Sequence, residues 1–287
     1  MTAIRWSAAV VALGSVVFAS EAAAQCRPPA SSHEARLLAF YEAPIVFSMA
    51  AAPERLAFGD VRIGGEAIPV PSPNRALQHP NYCYENTTNN TKLAPVFGRP
   101  RLAIGLPAGF TAEASYLPNV TVASAQASLV SLALARTQAL PFLAGHVMLT
   151  LRADRTSGHV RGPITCPRTS LQTTDANVPC YGDAPSRDTF QPNSYGFEGA
   201  LGVRSRDSRF AAYAGSGVRS LRPRFQAGFT DALGNVDRTT IDVDLVRGAV
   251  FAGATVRLRD RIAVSAQLYV VPADVTTMRI GAQYALR

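Results

Sequence analysis

The chain has 287 residues, of which 47% are hydrophobic and 17% are charged, whereas about 25% charged residues is usual in a soluble domain. No internal run of about 18 or more apolar residues occurs, which excludes a membrane-spanning helix. The net charge of +8 comes almost entirely from arginine, since Lys92 is the only lysine. The arginines are scattered among turns and strand ends rather than gathered into a stripe with aromatic residues, so the sequence predicts no nucleic-acid interface.

Residues 1–24 are typical of a secretory signal peptide. Arg5 supplies the charged start, an apolar core extends from Trp6 to Ala19, and three alanines at 22–24 form a small-residue cleavage site. The sequence therefore predicts export, with the remaining chain entering an oxidising compartment.

Four cysteines remain after this cleavage site, Cys26, Cys83, Cys166 and Cys180, and they allow three pairings. Pairing of Cys166 with Cys180 is favoured, because the two lie in one Pro/Thr/Asp-rich segment. Cys26 would then pair with Cys83. His79 and Cys83 have the spacing of metal ligands, but no second His/Cys pair accompanies them, so disulfides are predicted and no metal.

Residues 25–98 are predicted to form an N-terminal region that can plug a barrel. Ser31 and Glu34 have the spacing of a capping box and predict a helix over residues 32–42 that ends before Pro44. Short strands follow, including one over residues 55–64. The Pro/Asn/Thr-rich stretch at 71–100 predicts a loop.

Residues 99–287 are predicted to form the barrel itself. In one segment Ile262, Val264, Ala266, Leu268 and Val270 alternate with Ala263, Ser265, Gln267 and Tyr269. A period of two with one apolar and one mixed face, over about ten residues, is typical of strands that cross a bilayer at a tilt. The predicted fold is all-β, an antiparallel transmembrane β-barrel of about 10–12 strands with a short N-terminal helix or plug. Its predicted location is the bacterial outer membrane.

One long loop, predicted over residues 154–193, helps to orient the barrel. Bacterial barrels pair short periplasmic turns with long extracellular loops and have an even number of strands. The long loop falls outside if residues 237–257 form two strands broken near Arg247-Gly248, where the apolar register shifts from odd to even positions. A bulge in one long strand would shift the register in the same way.

Charged and amide side chains on the predicted inward faces are the candidate lumen-lining residues. They are Glu113, Arg152, Glu198, Arg204, Asp242, Asp244, Gln267 and Arg279. These groups could pair with one another in a closed interior or line a wet pore. A barrel of this size is intermediate, because about eight strands leave a filled interior and 16–18 an aqueous channel.

Two segments carry a family resemblance, GLPAGFTAEASYLPNVTV at 105–122 and DLVRGAVFAGATVRLRDRIAVSAQLYVVP at 244–272. With the signal and the short helix, they resemble the bacterial outer-membrane hydrophobic-compound transporters typified by FadL. The resemblance implies a barrel plugged by its N-terminal segment that takes up fatty acids or other hydrophobic molecules without an energy source. That family's barrel has fourteen strands, and outer-membrane barrels commonly end in an aromatic residue, whereas this chain ends in Leu286-Arg287.

A passive channel or transporter for small, hydrophobic molecules is the favoured function. Outer-membrane lipid and the assembly machinery are the expected partners, and no cofactor is expected. The first alternative is a structural or surface-recognition barrel acting through loop 154–193, and a secreted soluble β-sandwich is another. A membrane-embedded hydrolase would need a nucleophile and a base together, with Asp242, Asp244 and His146 as candidates. No G-x-S-x-G signature occurs, and the chain is predicted not to be an enzyme.

Overall fold

The computed structural model describes residues 25–83, 95–122, 125–140 and 146–286. The predicted signal peptide lies outside these residues. The described chain forms a closed antiparallel barrel of ten strands, with four extra strands in the same sheet and a short helix. Across these ranges, no helix is long and apolar enough to span a membrane.

The ten barrel strands follow the order of the chain, each paired with the next, and the last pairs with the first. They are β2 (Val61–Pro69), β3 (Val96–Gly105), β4 (Phe110–Val122), β5 (Ala125–Ala139), β6 (Val147–Gly162), β8 (Asn193–Arg204), β9 (Phe210–Leu221), β14 (Leu245–Arg259), β15 (Ile262–Val271) and β16 (Val275–Ala285).

Six short strands lie among the connections. From β6 the main sheet continues through β7 (Asp188–Gln191), β10 (Arg224–Gln226), β13 (Thr240–Asp242) and β1 (Gln25–Cys26). The remaining two, β11 (Phe229–Thr230) and β12 (Val236–Asp237), pair as a separate antiparallel hairpin.

The strand faces are reversed relative to those of a soluble protein. On β5, Leu132 is 57% exposed on the outer face, whereas its neighbour Ser131 is 2% exposed and faces the lumen. β8 and β15 repeat this arrangement, with Leu201 and Leu268 exposed and Glu198 and Gln267 buried. A contiguous apolar exterior around a polar interior is the pattern of a barrel surrounded by lipid.

The connections divide the barrel into two different ends. The chain passes from β3 to β4, from β5 to β6, from β8 to β9 and from β14 to β15 at what we call the turn end, where β16 also finishes. β2, β6 and β9 finish at the opposite, loop end, where the long connections 163–192 and 222–244 begin. The long connections thus lie opposite the end of the last strand, as the sequence predicts, and the strand number is even.

The chain enters this architecture at the loop end and passes down the lumen. β1 pairs with β13, and α1 (His33–Ile45) follows, with the Ser32 hydroxyl accepting a hydrogen bond from the Ala35 N–H. Residues 46–56 continue without regular structure to the turn end, where the Gly59 N–H donates to the Gly105 carbonyl. We call residues 33–56 the plug segment. The predicted helix exists, but Ser32 caps it and Pro44 lies within its last turn.

Three predicted boundaries are wrong. The barrel begins at β2, which pairs with β3 and β16, rather than at residue 99; the Gly64-Gly65 pair hides its alternation. The interruption predicted at 154–193 is narrower, because β6 continues to Gly162 and Asp154 and Thr156 are inward strand positions. Arg247-Gly248 lies inside the continuous strand β14, and the break falls at residues 243–244.

Candidate functional site

Barrel side chains hold the plug segment by its backbone. Arg99 donates to the carbonyls of Ile45 and Val46, both at 2.7 Å. Further donors contact the next carbonyls along the chain: Arg152 to Phe47 at 2.5 Å, Arg101 to Ser48 at 2.9 Å and Ser265 to Ala50 at 2.5 Å. A chain without regular structure must satisfy its buried backbone groups in some other way, and here the lumen wall supplies the partners.

The C-terminal end of α1 points at arginines. Arg279 donates to the carbonyls of Ala43 and Val46, both at 2.9 Å, next to the contact between Arg99 and Ile45. The last carbonyls of a helix carry partial negative charge, so cations stabilise this end. Two guanidinium groups therefore supplement the backbone C-cap, in which the Val46 N–H donates to the Glu42 carbonyl, where the helix meets the extended part of the plug.

Phe47 is the centre of the plug and is fully buried. The guanidinium carbons of Arg99, Arg101 and Arg152 lie 4.8, 4.1 and 4.8 Å from its ring centroid. Cations over an aromatic face are attracted by the ring quadrupole, and more strongly where water is excluded. The ring thus anchors the plug among arginines that also hold its backbone.

These arginines belong to a charge network that follows the lumen wall. Glu66 pairs with Arg99 and with Arg101, the latter at 2.7 Å, and Glu113 bridges Arg101 at 2.7 Å to Arg152 at 3.2 Å. The network continues through Asp154 and Glu198, which both contact Arg152 and Arg219. Buried charges are tolerated only when paired and hydrogen-bonded, and here each of the four carboxylates pairs with arginine.

Glu42 is the buried acid of the plug helix. The residue is fully buried, beside the Asn193 backbone and the Ser194 side chain. Burial raises the pKa of Glu42 to about 8, and the Asn193 backbone, the positive charge of Arg219 and the Ser194 side chain offset this only in part. A raised pKa favours the protonated, neutral form of a carboxyl, so burial works against a further negative charge in the lumen at this position.

Where the plug leaves the lumen, it passes so close to Gly105 that this position has no room for a side chain. A Cβ built on Gly105 would lie 2.0 Å from the Ala57 carbonyl oxygen and 2.9 Å from the Leu56 Cβ.

Gly105→Ala is therefore expected to destabilise the folded barrel by about 1–3 kcal/mol, because the backbone at Ala57 would have to move. Urea titration of the heat-modifiable gel shift measures this. Gly98→Ala on the same strand, where the nearest atom is 3.6 Å away, is the matched control; equal midpoints for the two would contradict the close approach.

The barrel wall has an incomplete ladder between β3 and β4. Leu102 to Gly105 pair with Ala114 to Thr111, but residues 96–101 of β3 and 115–122 of β4 share no register in the described chain. Each of these stretches contains a proline, Pro100 and Pro118, and β4 has a register shift at 117–120. Proline cannot donate to a ladder and is confined to edges and bulges. We call this part of the wall the seam.

Cavities lie on both sides of the wall where the ladder stops. The outer one has a volume of about 1000 Å³, and its apolar lining includes Leu102, Tyr116, Val130 and Leu132. The inner one, of about 80 Å³, lies against plug residues 49–54. Both are lined by Ile63, Gly64, Arg101, Leu102 and Gln283. The same few residues therefore separate the membrane side from the lumen.

Six of the candidate lumen residues lie on inward faces: Glu113, Arg152, Glu198, Arg204, Gln267 and Arg279. Arg204 lies nearer the turn end, 3.6 Å from Glu54 of the plug. Gln267 is buried, and neither atom of its side-chain amide has a partner in the described ranges.

Asp242 and Asp244 do not line the lumen, and their prediction is wrong. Asp242 lies in β13 at the loop end, where it accepts from Gln25 and pairs with Arg224. The Asp244 side chain is 69% exposed beside Arg222. Their alternation reflects the small loop-end sheet, in which Ile241 and Val243 supply the buried face. His146 precedes β6 at the turn end, so it lies at the opposite end of the barrel from Asp242 and Asp244.

Five of the eight residues in the charge network are not among the lumen residues that the sequence predicts. Glu66 falls in the predicted N-terminal region, Arg99 at the boundary of the predicted loop and Asp154 in the predicted long loop, and Arg101 and Arg219 are not predicted either. The available signal was the period of two itself, since Arg99 and Arg101 alternate with Gly98, Pro100 and Leu102.

No family model matches the chain, and no curated protein matches it. Among solved structures, it is similar to Ail, the attachment invasion locus protein of Yersinia pestis, with 11% identity over 80% of this chain and 100% of that one and a TM-score of 0.31. It is also similar to a mutant of TodX, a monoaromatic hydrocarbon channel (11% identity, 80% and 68% coverage, TM-score 0.29). A third is a loop-deletion mutant of OmpT, an outer membrane protein of Vibrio cholerae (13% identity, 79% and 76% coverage, TM-score 0.23).

No residue role or activity follows from these similarities. Ten strands also differ from the fourteen of the FadL-like barrels. The ladder pairings and the apolar exterior themselves show an outer-membrane β-barrel.

Proposed function

We propose that this protein passes small apolar molecules between the outer membrane and its own lumen, through the seam between β3 and β4. The observation that carries the proposal is the end of the β3–β4 ladder at Leu102 and Ala114, with an apolar cavity outside it. If the short turns face the periplasm, as in bacterial barrels, the loop end faces the cell exterior, and lipid surrounds the apolar outer face.

The chemistry of the seam fits an apolar solute better than an ion. Its outer cavity falls at the upper end of the volume range of about 300–1,000 Å³ that is usual for small-molecule sites. An apolar molecule is already concentrated in the bilayer and needs no aqueous entrance. The plug closes the lumen lengthwise, so in this state the wall offers a shorter route than the barrel axis.

Bridging the seam tests the proposal. The variant Pro100→Cys with Tyr116→Cys places two outward thiols across it, and the native cysteines are already paired as disulfides. Treatment with a short bis-maleimide is expected to lower the uptake of N-phenyl-1-naphthylamine by cells to the rate of cells without the protein. The unbridged double variant gives the baseline.

The matched control bridges a complete ladder. Phe197 and Val218 are outward register partners on β8 and β9, away from the seam. Bridged Phe197→Cys with Val218→Cys is expected to keep the uptake of its unbridged form. Equal uptake by bridged and unbridged seam variants would reject passage through the seam, as would wild-type uptake no faster than that of cells lacking the protein.

A surface-binding barrel is the second candidate. It is favoured by the plug, which occupies the lumen along the length of the barrel and receives hydrogen bonds from several strands. If cells with and without the protein take up the dye equally, this second function is the one supported.

A further inference from the structure

An arginine faces the surrounding lipid on the outer wall of the barrel. Arg155 is exposed on the outward face of β6, where its register partners are Leu132 of β5 and Tyr195 of β8. Its guanidinium carbon lies 4.9 Å from the centroid of the Tyr195 ring. The side chain thus combines a permanent charge with a position on the face that lipid surrounds.

The strands around Arg155 offer it no carboxylate on the outer face. In β4, β5, β6 and β8 the acidic residues are Glu113, Asp154 and Glu198, and all three pair with arginines in the lumen. An arginine on the lipid face of a barrel lowers stability most at the middle of the bilayer and far less near the interface. The counter-charge for Arg155 therefore has to come from outside these strands.

The residues along β6 place Arg155 at the edge of the apolar belt. Towards the turn end, the outward residues of this strand are apolar: Val147, Leu149, Leu151 and Ala153. Towards the loop end, they are polar or basic: Ser157, His159 and Arg161. Aromatic residues form girdles at the interfaces of a membrane barrel, and Tyr195 beside Arg155 is 43% exposed. Arg155 thus lies at the level of the headgroup phosphates in the leaflet at the loop end.

An apolar groove extends from Arg155 towards the turn end. Its volume is about 510 Å³, and the outward side chains that line it are apolar except for that of Arg155. Ala112 and Ala114 of β4 form its floor. Each lies between larger residues of β3 and β5, with which it pairs: Leu102, Ile104, Leu132 and Leu134. A trough of small residues between two apolar ridges fits an extended acyl chain, and Arg155 lies at its headgroup end.

We propose that Arg155 and this groove bind one lipid of the leaflet at the loop end, with its phosphate on Arg155 and an acyl chain along Ala112 and Ala114. A guanidinium group presents a planar set of N–H donors that matches the geometry of phosphate. Ser157, the next outward residue of β6, adds a hydroxyl, and the Tyr195 ring packs against the guanidinium. A lipid without a phosphate would leave the charge of Arg155 unbalanced, and a free phosphate would leave the groove empty.

Phosphatidic acid, the diacylglycerol with the same chains and inorganic phosphate separate the contributions of headgroup and chain. Native mass spectrometry of the folded protein, released from dodecyl maltoside micelles, measures how much of each lipid is bound at each lipid concentration. We expect saturable binding of one phosphatidic acid and much weaker binding of diacylglycerol. Inorganic phosphate at the same concentration as the lipid should not displace phosphatidic acid.

Arg155→Gln should weaken the binding of phosphatidic acid about fivefold, the contribution typical of one basic residue near an anionic membrane surface. Ala112→Leu fills the groove without changing the charge and should also weaken this binding. Arg259→Gln is the matched control, because Arg259 is exposed at the turn end of β14, across the barrel from the groove. Its affinity should equal that of the wild type. The heat-modifiable gel shift confirms that each variant is folded before titration.

Loss of affinity in Arg155→Gln and Ala112→Leu, with none in the control, would support the lipid site. Equal loss in Arg155→Gln and Arg259→Gln, diacylglycerol binding as tight as that of phosphatidic acid, or displacement by inorganic phosphate would overturn it. Wild-type affinity in Ala112→Leu, or no saturable binding by the wild-type protein, would overturn it as well. None of these measurements uses dye uptake, so passage through the seam is tested separately.

Discussion

Arg152→Met is expected to destabilise the barrel by about 3–5 kcal/mol, because it removes one partner of a buried ionic network. The guanidinium of Arg152 is fully buried and contacts Glu113, Asp154 and Glu198. It also donates to the Phe47 carbonyl. Methionine fills similar space but leaves these carboxylates with less positive charge and the carbonyl without its donor. The urea midpoint of the heat-modifiable gel shift measures the loss.

Arg222→Met is the matched control for this prediction. Arg222 pairs with Asp244 at 3.5 Å, but both side chains are more than half exposed. Exposed ion pairs contribute about 0–1 kcal/mol, so the urea midpoint of Arg222→Met should stay close to that of the wild type.

Adding Glu113→Gln to Arg152→Met should recover part of the lost stability by removing one uncompensated charge, which a double-mutant cycle detects. If Arg152→Met unfolds at the same urea midpoint as the wild type, the network is not needed for stability.

Release of the plug is expected to turn a silent barrel into a conducting one. The plug fills a lumen of ten strands, a size between filled eight-stranded barrels and open barrels of 16–18 strands. A protease site inserted after Phe58, in the exposed turn between plug and β2, allows cleavage after folding is complete. Reduction of Cys26–Cys83 then frees the other end, and a brief wash in dilute urea removes the segment.

Planar-bilayer recordings report each stage. Uncut protein, and uncut protein treated with reductant and urea, should remain silent. Cut protein should also stay silent until the wash, because the contacts from Arg99, Arg152 and Arg279 still hold the plug. Sustained current should follow its loss. Current through the uncut barrel, or silence after mass spectrometry shows the plug gone, would contradict the assignment of residues 33–56 as the closure.

The alternation of residue types predicted much of this protein. The alternating faces of β15, the inward positions of Arg152, Glu198 and Arg279, and the favoured pairing of Cys166 with Cys180 are as the sequence indicates. This works because each strand position faces either lipid or lumen, so apolar and polar residues must alternate. The pairing of Cys166 with Cys180 follows from their nearness along the chain.

The same rule failed where alternation continued outside the barrel. Asp242 and Asp244 alternate with Ile241 and Val243 as lumen residues would, yet they belong to the loop-end sheet. Conversely, Gly64-Gly65 interrupts the alternation of β2, so the sequence does not place this strand in the barrel, although it closes the barrel against β16. Period two identifies a strand with two different faces, but it does not say which sheet that strand joins.

The partners of the inward groups depend on contacts between residues far apart in the chain. Sequence patterns indicate a polar lumen and a plug, but the placement of Phe47 among Arg99, Arg101 and Arg152 arises only when the plug passes down the closed barrel. The seam has a more local origin, because β3 and β4 follow one another in the chain and Pro100 and Pro118 lie where the ladder between them is missing. Local chemistry thus establishes strands, faces and most neighbours along the chain. The pairing of β2 with β16 and the passage of the plug through the lumen bring together segments far apart in the sequence, and only the tertiary structure decides them.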